Sequence, residues 1–124
     1  MLKRGHLMRP LIYISSPYTA TSEQLVAANT QRALAYGAQV RGIGATPLVP
    51  HVSVIPFPAL SAKEAWGPAM QECLTMLSRA DAMLLCPGWE ESRGCRVEML
   101  QAEQWQIPVF YSVQDLRVWV EKSA

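Results

Sequence analysis

A chain of 124 residues, half of them hydrophobic, is long enough to bury one core and too short for two, which excludes both a multidomain machine and a disordered chain. Eleven basic and ten acidic residues leave a formal net charge of +1, so neither a nucleic acid polymer nor an anionic membrane is an expected partner. The cysteines Cys73, Cys86 and Cys95 form no C-x-x-C pair and stand apart from His6 and His51, which reads as reduced core thiols in a cytoplasmic protein without structural zinc. No metal or other cofactor is expected.

The basic start MLKRGHLMRP is followed only by the short apolar run Leu11–Ile14, too short for a signal-peptide core. Residues 1–9 read as a flexible leader, with Met8 a candidate start, and residues 10–124 as a single domain. Leu11–Ile14 is a buried strand closed by Ser15-Ser16-Pro17. Leu25, Ala28, Ala33, Leu34, Ala38 and Val40 recur at helical spacing, predicting a helix over Ser22–Val40 that Gly42 and Gly44 stop. Ala45–Val49 is a second strand. Four prolines between Pro47 and Pro58 exclude a regular helix there and predict an active-site loop.

Ser61-Ala62-Lys63-Glu64 reads as a capping box for a helix that kinks at Gly67-Pro68 and runs to about Arg79. Ala82–Cys86 is almost wholly apolar, as strands of parallel sheets are, and exits through Pro87–Glu91. A helix over Arg93–Trp105, a strand over Ile107–Tyr111 and an amphipathic helix over Val113–Lys122 complete the chain. Alternating strands and helices predict an α/β fold, a flavodoxin-like or Rossmann-like three-layer sandwich with a parallel sheet of four to five strands. Trp66, Met70, Leu74, Met76 and Leu77 give one helix more apolar surface than a single sheet face covers, so a homo-oligomer with Trp66–Leu77 in the contact is expected.

Ligands of open α/β sheets bind outside the carboxyl ends of the strands. Two polar segments fall there: Ser15-Ser16-Pro17-Tyr18 after the first strand, and Gly88-Trp89-Glu90-Glu91-Ser92-Arg93-Gly94 after the third. Ser92 is a natural N-cap, and the amides of Arg93, Gly94 and Cys95 after it make an anion site. Gly94 and Glu98 share one helical face, so the missing side chain lets a ligand approach the Glu98 carboxylate. Spacing alone fits a solvated carboxylate paired with arginines equally well. Ser92 caps the helix under either reading, Trp89 either packs or stacks on a base, and His51 stands in the proline-rich loop. A nucleophile elbow is excluded, because the order is Gly-Trp-Glu-Glu-Ser-Arg-Gly and no histidine follows.

Taken together, Ile12-Tyr13-Ile14-Ser15-Ser16-Pro17-Tyr18, Thr46-Pro47-Leu48-Val49-Pro50-His51, Ala80-Asp81-Ala82-Met83-Leu84-Leu85 and Gly88-Trp89-Glu90-Glu91-Ser92-Arg93-Gly94 with Glu98, Ala102 and Ile107-Pro108-Val109 resemble the nucleoside 2-deoxyribosyltransferase superfamily, in particular its small bacterial and phage branch. The resemblance spans about residues 10–112 and rests on the order and spacing of the segments. It implies an enzyme of the nucleoside or nucleotide N-glycosidic bond, either a 2-deoxyribosyltransferase or a nucleoside 5′-monophosphate N-glycosidase. Glu98 would attack the anomeric carbon to form a glycosyl-enzyme and Tyr13 would orient it, with Ser15, Ser16, Tyr18, His51, Gly88, Trp89, Ser92, Arg93 and Gly94 binding substrate. Ser92 stands where members acting on 5′-monophosphates have serine. The family's base-contacting aspartate is missing: the matching region is Gln71-Glu72-Cys73, and the next aspartate is Asp81. Either Glu72 or His51 replaces it, or the machinery is incomplete, and a non-catalytic nucleotide-binding module or a purely structural subunit are the competing readings.

Overall fold

Four strands in the order β2-β1-β3-β4, all parallel, form the sheet of the computed structural model, which describes residues 8–53 and 62–123, the side chains of 62–66 excepted. In chain order the elements are β1 (Leu11–Ser15), α1 (Glu23–Gly42), β2 (Thr46–Leu48), α2 (Pro50–Ser53), α3 (Ala62–Arg79), β3 (Ala82–Leu85), α4 (Arg93–Gln104), β4 (Val109–Phe110) and α5 (Val113–Ser123). Ile12 stands opposite Ala82, Leu11 opposite Thr46, and Met83 opposite Val109. The chain winds outward from β1 to β2, then crosses to the other side of β1 for β3. The topological switch of this α/β sandwich therefore lies between β1 and β3.

Strand side chains alternate between faces, and the alternation sorts the core into two halves. Ile12 and Ile14 of β1 join Ala82 and Leu84 of β3 beneath Ala33 and Val40 of α1 and Leu116 and Val120 of α5. Tyr13, Met83 and Leu85 face the opposite way, beneath Cys73 and Leu77 of α3 and Cys95 and Ala102 of α4. Each fully buried Ile or Leu contributes about 1.5–3 kcal/mol. With helices on both faces, the near-continuous apolar run of β3 is buried on either side.

The amino end of the β1–β3 pair is fastened by one residue. Leu11 N–H donates to Asp81 Oδ2 at 2.7 Å, and Asp81 N–H donates to the Leu11 carbonyl at 2.8 Å. At the carboxyl end the ladder closes with Cys86 N–H on the Ser15 carbonyl at 2.8 Å.

Several boundaries depart from the sequence reading. The segment after β2 holds one helical turn, α2, despite its prolines, because Pro50 is its first residue and a proline there gives up no intrahelical hydrogen bond. Residues 54–58 of the expected loop and the capping box at Ser61–Glu64 fall outside the described residues or side chains. β4 is only Val109–Phe110, since it pairs with β3 through Met83 and Leu84 alone. α3 accommodates Pro68 within its length. The described apolar side chains of α3 are less exposed than expected: Leu77 is fully buried and Met70, Leu74 and Met76 are half-buried, because α4 covers the helix as well as the sheet does. Large exposed apolar side chains lie instead at Leu25 and Leu34 of α1, Leu100 of α4 and Val118 of α5. Among the described residues no helix is long and apolar enough to cross a membrane.

Candidate active site

Tyr13 and Ser15 are two residues apart on β1 and so point to the same face of the sheet. Across that face α4 presents Glu98. Tyr13 Oη donates to Glu98 Oε2 at 2.6 Å and Ser15 Oγ donates to Glu98 Oε1 at 2.7 Å, so each carboxylate oxygen is held by one hydroxyl. Glu98 is only 7% exposed, which rules out the solvated helix carboxylate that spacing alone allowed.

The electrostatics follow from this burial. Loss of hydration pushes the Glu98 carboxyl above the usual carboxylate range, while the hydrogen bonds from Tyr13 and Ser15 pull the other way without cancelling it. Tyr13 is held well above the ordinary tyrosine value, first by burial and then by the adjacent Glu98 charge, so its proton stays available to the carboxylate. Burial also pushes the Cys73 thiol up to about 11 and Cys86 up to about 12, and raises Cys95, whose thiol interacts with Ser92 and Ser15. The three cysteines are buried, protonated and unreactive at neutral pH.

The exit loops of β1 and β3 meet at Gly88 and Pro17. Gly88 has φ +92°, a left-handed backbone that favours glycine, and a side-chain carbon added there would stand 3.3 Å from Pro17 Cγ, so the proline would have to give by a few tenths of an ångström. A 3-10 turn at Trp89–Glu91 follows, and Ser92 then caps α4, its Oγ accepting from Cys95 N–H at 3.2 Å. Its hydroxyl hydrogen is not used by that bond. Trp89 is half-buried against the α3–α4 half of the core and tilts against Tyr111 with ring centroids 6.0 Å apart. Packing therefore accounts for Trp89. Arg93 is exposed on the first turn of α4, and Gly94 faces α3, where an added carbon would stand 3.4 Å from the Met70 methyl.

His51 lies in α2 and is 5% exposed, buried rather than on an open rim. Its Nε2 is 3.1 Å from the Pro17 carbonyl, an acceptor, which assigns the proton to Nε2 and leaves Nδ1 with a lone pair. The ring meets Tyr18 edge-on with centroids 5.4 Å apart. Tyr18 is held by its own carbonyl, which accepts from Asn29 Nδ2 of α1 at 3.0 Å. Burial lowers the His51 pKa, opposed by the Pro17 hydrogen bond. Nδ1 of His51 and Oγ of Ser16, both buried, find no hydrogen-bond partner among the described residues.

The missing aspartate can now be followed in space. Asp81 is bound at the amino edge of the sheet, a whole strand away from Ser15 at the carboxyl edge, and Glu72 is on the exposed face of α3. The inward residue of that turn is Cys73, which packs in the same buried cluster as Tyr13. Its burial was expected of a core thiol, but its place beside Tyr13 was not; the signal was the stripe Met70, Cys73, Leu77, which shares one helical face. Among the described residues no three His, Cys, Asp or Glu side chains group as a metal site needs.

Among solved structures the chain resembles a 2-deoxyribosyltransferase from the psychrotolerant bacterium Bacillus psychrosaccharolyticus, with a TM-score of 0.56 and 21% identity over 80% of this chain and 69% of that one. The likeness is one of fold. No curated protein matches the sequence. Residues 10–112, which carry β1 through β4 and every side chain described above at the Glu98 site, match the family described as "Domain of unknown function (DUF7768)", and the chain belongs to that family.

Proposed function

We propose that the protein cleaves or transfers the N-glycosidic bond of a nucleoside or nucleoside 5′-monophosphate, with Glu98 as nucleophile. The observation that carries the reading is a buried carboxylate, held by the hydroxyls of Tyr13 and Ser15, at the carboxyl edge of the sheet beside its topological switch. The fold shared with a 2-deoxyribosyltransferase supports it. A Glu98 oxygen bonds to the anomeric carbon while the C–N bond breaks, its electron pair leaving on the base nitrogen, which takes up a proton. Water or a second base then displaces Glu98 from the sugar, so the configuration is retained overall. Tyr13 and Ser15 fix the carboxylate before attack, which supplies the orientation such a step needs.

Ser16, Tyr18, His51, Gly88, Ser92 and Arg93 complete the proposed substrate site, with Trp89 packed under its loop and Gly94 against Met70 of α3. The unpartnered Nδ1 of His51 and Oγ of Ser16 offer an acceptor and a hydroxyl to a ligand. Because its pKa is lowered and its Nε2 proton is engaged by Pro17, His51 orients a donor of the ligand rather than supplying a proton at neutral pH. The start of α4, with the Ser92 hydroxyl and the amides after it, suits a 5′-phosphate. The same reading takes the protein to be cytoplasmic and to need no cofactor.

The test is a screen of nucleosides and 5′-monophosphates with released base measured by chromatography. Wild type releases base, Glu98→Ala loses turnover on the order of a thousandfold or more while still binding ligand, and Ser92→Ala weakens the phosphorylated ligand selectively. Equal losses for phosphorylated and free ligands reduce Ser92 to a helix cap. A second reading is favoured by Glu72 facing solvent and Asp81 lying at the far edge: a nucleotide-binding module of the same fold without chemistry. Ligand binding by wild type without any base release would establish that module and overturn the enzyme.

A further inference from the structure

Between β1 and α1 the chain passes through Pro17 and Tyr18, and these two consecutive carbonyls are each taken by a side chain from a different helix. The Pro17 carbonyl accepts from His51 Nε2 of α2 at 3.1 Å, and the Tyr18 carbonyl accepts from Asn29 Nδ2 of α1 at 3.0 Å. The Tyr18 ring then meets the His51 ring edge-on, which closes a circuit through both helices. His51 Nδ1 is buried and has no hydrogen-bond partner among the described residues, so its aim depends on how the rest of the ring is held. We infer that Asn29 is a positioning residue for His51: by tying the Tyr18 carbonyl to α1 it keeps the Tyr18 ring against the imidazole and fixes the direction of the Nδ1 lone pair.

The chemistry of the amide makes the residue specific. Arg32, three residues on and on the same face of α1, donates from Nη1 to Asn29 Oδ1 at 3.0 Å. A guanidinium only donates and a backbone carbonyl only accepts, so the amide sits one way round, oxygen toward Arg32 and nitrogen toward Tyr18. An aspartate of the same shape would keep Arg32 but set a carboxylate oxygen against the Tyr18 carbonyl. His51 needs this support because its one hydrogen bond fixes a point of the ring and not its plane, which the edge-on tyrosine supplies. The consequence for binding rests on the proposed function. A lone pair held in one direction favours a ligand that brings an N–H or O–H there, from an amino group of the base or a hydroxyl of the sugar, over one that brings a carbonyl.

The test follows His51 by NMR in the full chain carrying isotope-labelled histidine, its signals assigned by their loss in His51→Phe. Wild type shows a ring protonated at Nε2 whose carbon-bound protons are shifted by the Tyr18 ring. Asn29→Asp moves those protons toward their positions in Tyr18→Leu, which removes the aromatic ring and keeps the carbonyl bond, while circular dichroism stays that of wild type. His51 signals unmoved in either variant overturn the inference. The kinetic arm uses adenosine, 2′-deoxyadenosine, inosine and 2′-deoxyinosine 5′-monophosphates. Asn29→Asp raises KM roughly three- to tenfold, the worth of one hydrogen bond, for those that carry the donor. A loss confined to the adenine pair identifies the amino group, one confined to the ribose pair the 2′-hydroxyl, and a uniform one the shared 3′-hydroxyl. In a His51→Phe background Asn29→Asp adds no further loss; an equal loss in both backgrounds shows that Asn29 acts elsewhere and overturns the inference. If none of these ligands is bound or turned over and the His51 signals still move, the proposed function fails and the positioning role stands.

Discussion

Ionisation is the costly state of Glu98 in this fold, because burial raises its pKa further than its hydrogen bonds lower it. A carboxyl whose pKa is higher folded than unfolded contributes stability that is fully present below the unfolded value and lost as pH rises through the folded one. Glu98→Gln replaces it with a neutral group of the same shape. Its melting temperature is expected to lie near that of wild type in acid, to exceed it increasingly as pH rises from the usual carboxylate range through the folded pKa of Glu98, and to hold a constant lead above that. Thermal melts across that range check this, and a gap independent of pH would show that the carboxylate bears no such cost. His51 runs oppositely: its lowered pKa favours the neutral ring, a contribution present above about 6.5 and lost as pH falls through the folded value.

At the scale of elements, the site depends on how the β1 and β3 exits are pressed together. Gly88→Ala forces a side chain onto a left-handed backbone and against Pro17, whose carbonyl in turn holds His51. Denaturant unfolding is expected to show a loss of about 1–2 kcal/mol, and unchanged stability would mean the two loops move apart freely. Much of this arrangement is legible in the sequence. The period of a strand puts Tyr13 and Ser15 on one face, and Ser92 announces the start of α4 by the chemistry of capping. Less legible is whatever depends on the phase of a neighbouring helix. The same turn of α3 offers Glu72 and Cys73, and only packing against β1 and α4 turns the thiol inward and the carboxylate to solvent. The burial of His51 was hidden for a related reason, since prolines usually signal open loop and here Pro50 starts a helical turn.

For the molecule as a whole, the parallel sheet follows from continuous apolar strands separated by helical segments, which is why the fold class was readable, while the strand order β2-β1-β3-β4 was not written in that alternation. Assembly is less directly encoded. We propose a homo-oligomer, as a small domain with exposed Leu25, Leu34, Leu100 and Val118 has apolar surface to cover, although the described side chains of α3 are largely covered within one chain. Light scattering at micromolar concentration is expected to give at least twice the chain mass of 13.8 kDa, and a monomer would contradict it.

The Asp81 clasp gives the molecule two ends with different histories open to them. At one end, paired bonds between Asp81 and Leu11 tie the central strands before any side chain of the Glu98 site is reached. At the other, each strand simply stops and hands the chain to a loop. Sequence drift in those loops can therefore reshape the site without untying the strands, whereas a change at Asp81 strikes the pairing itself and leaves the site with nothing to stand on.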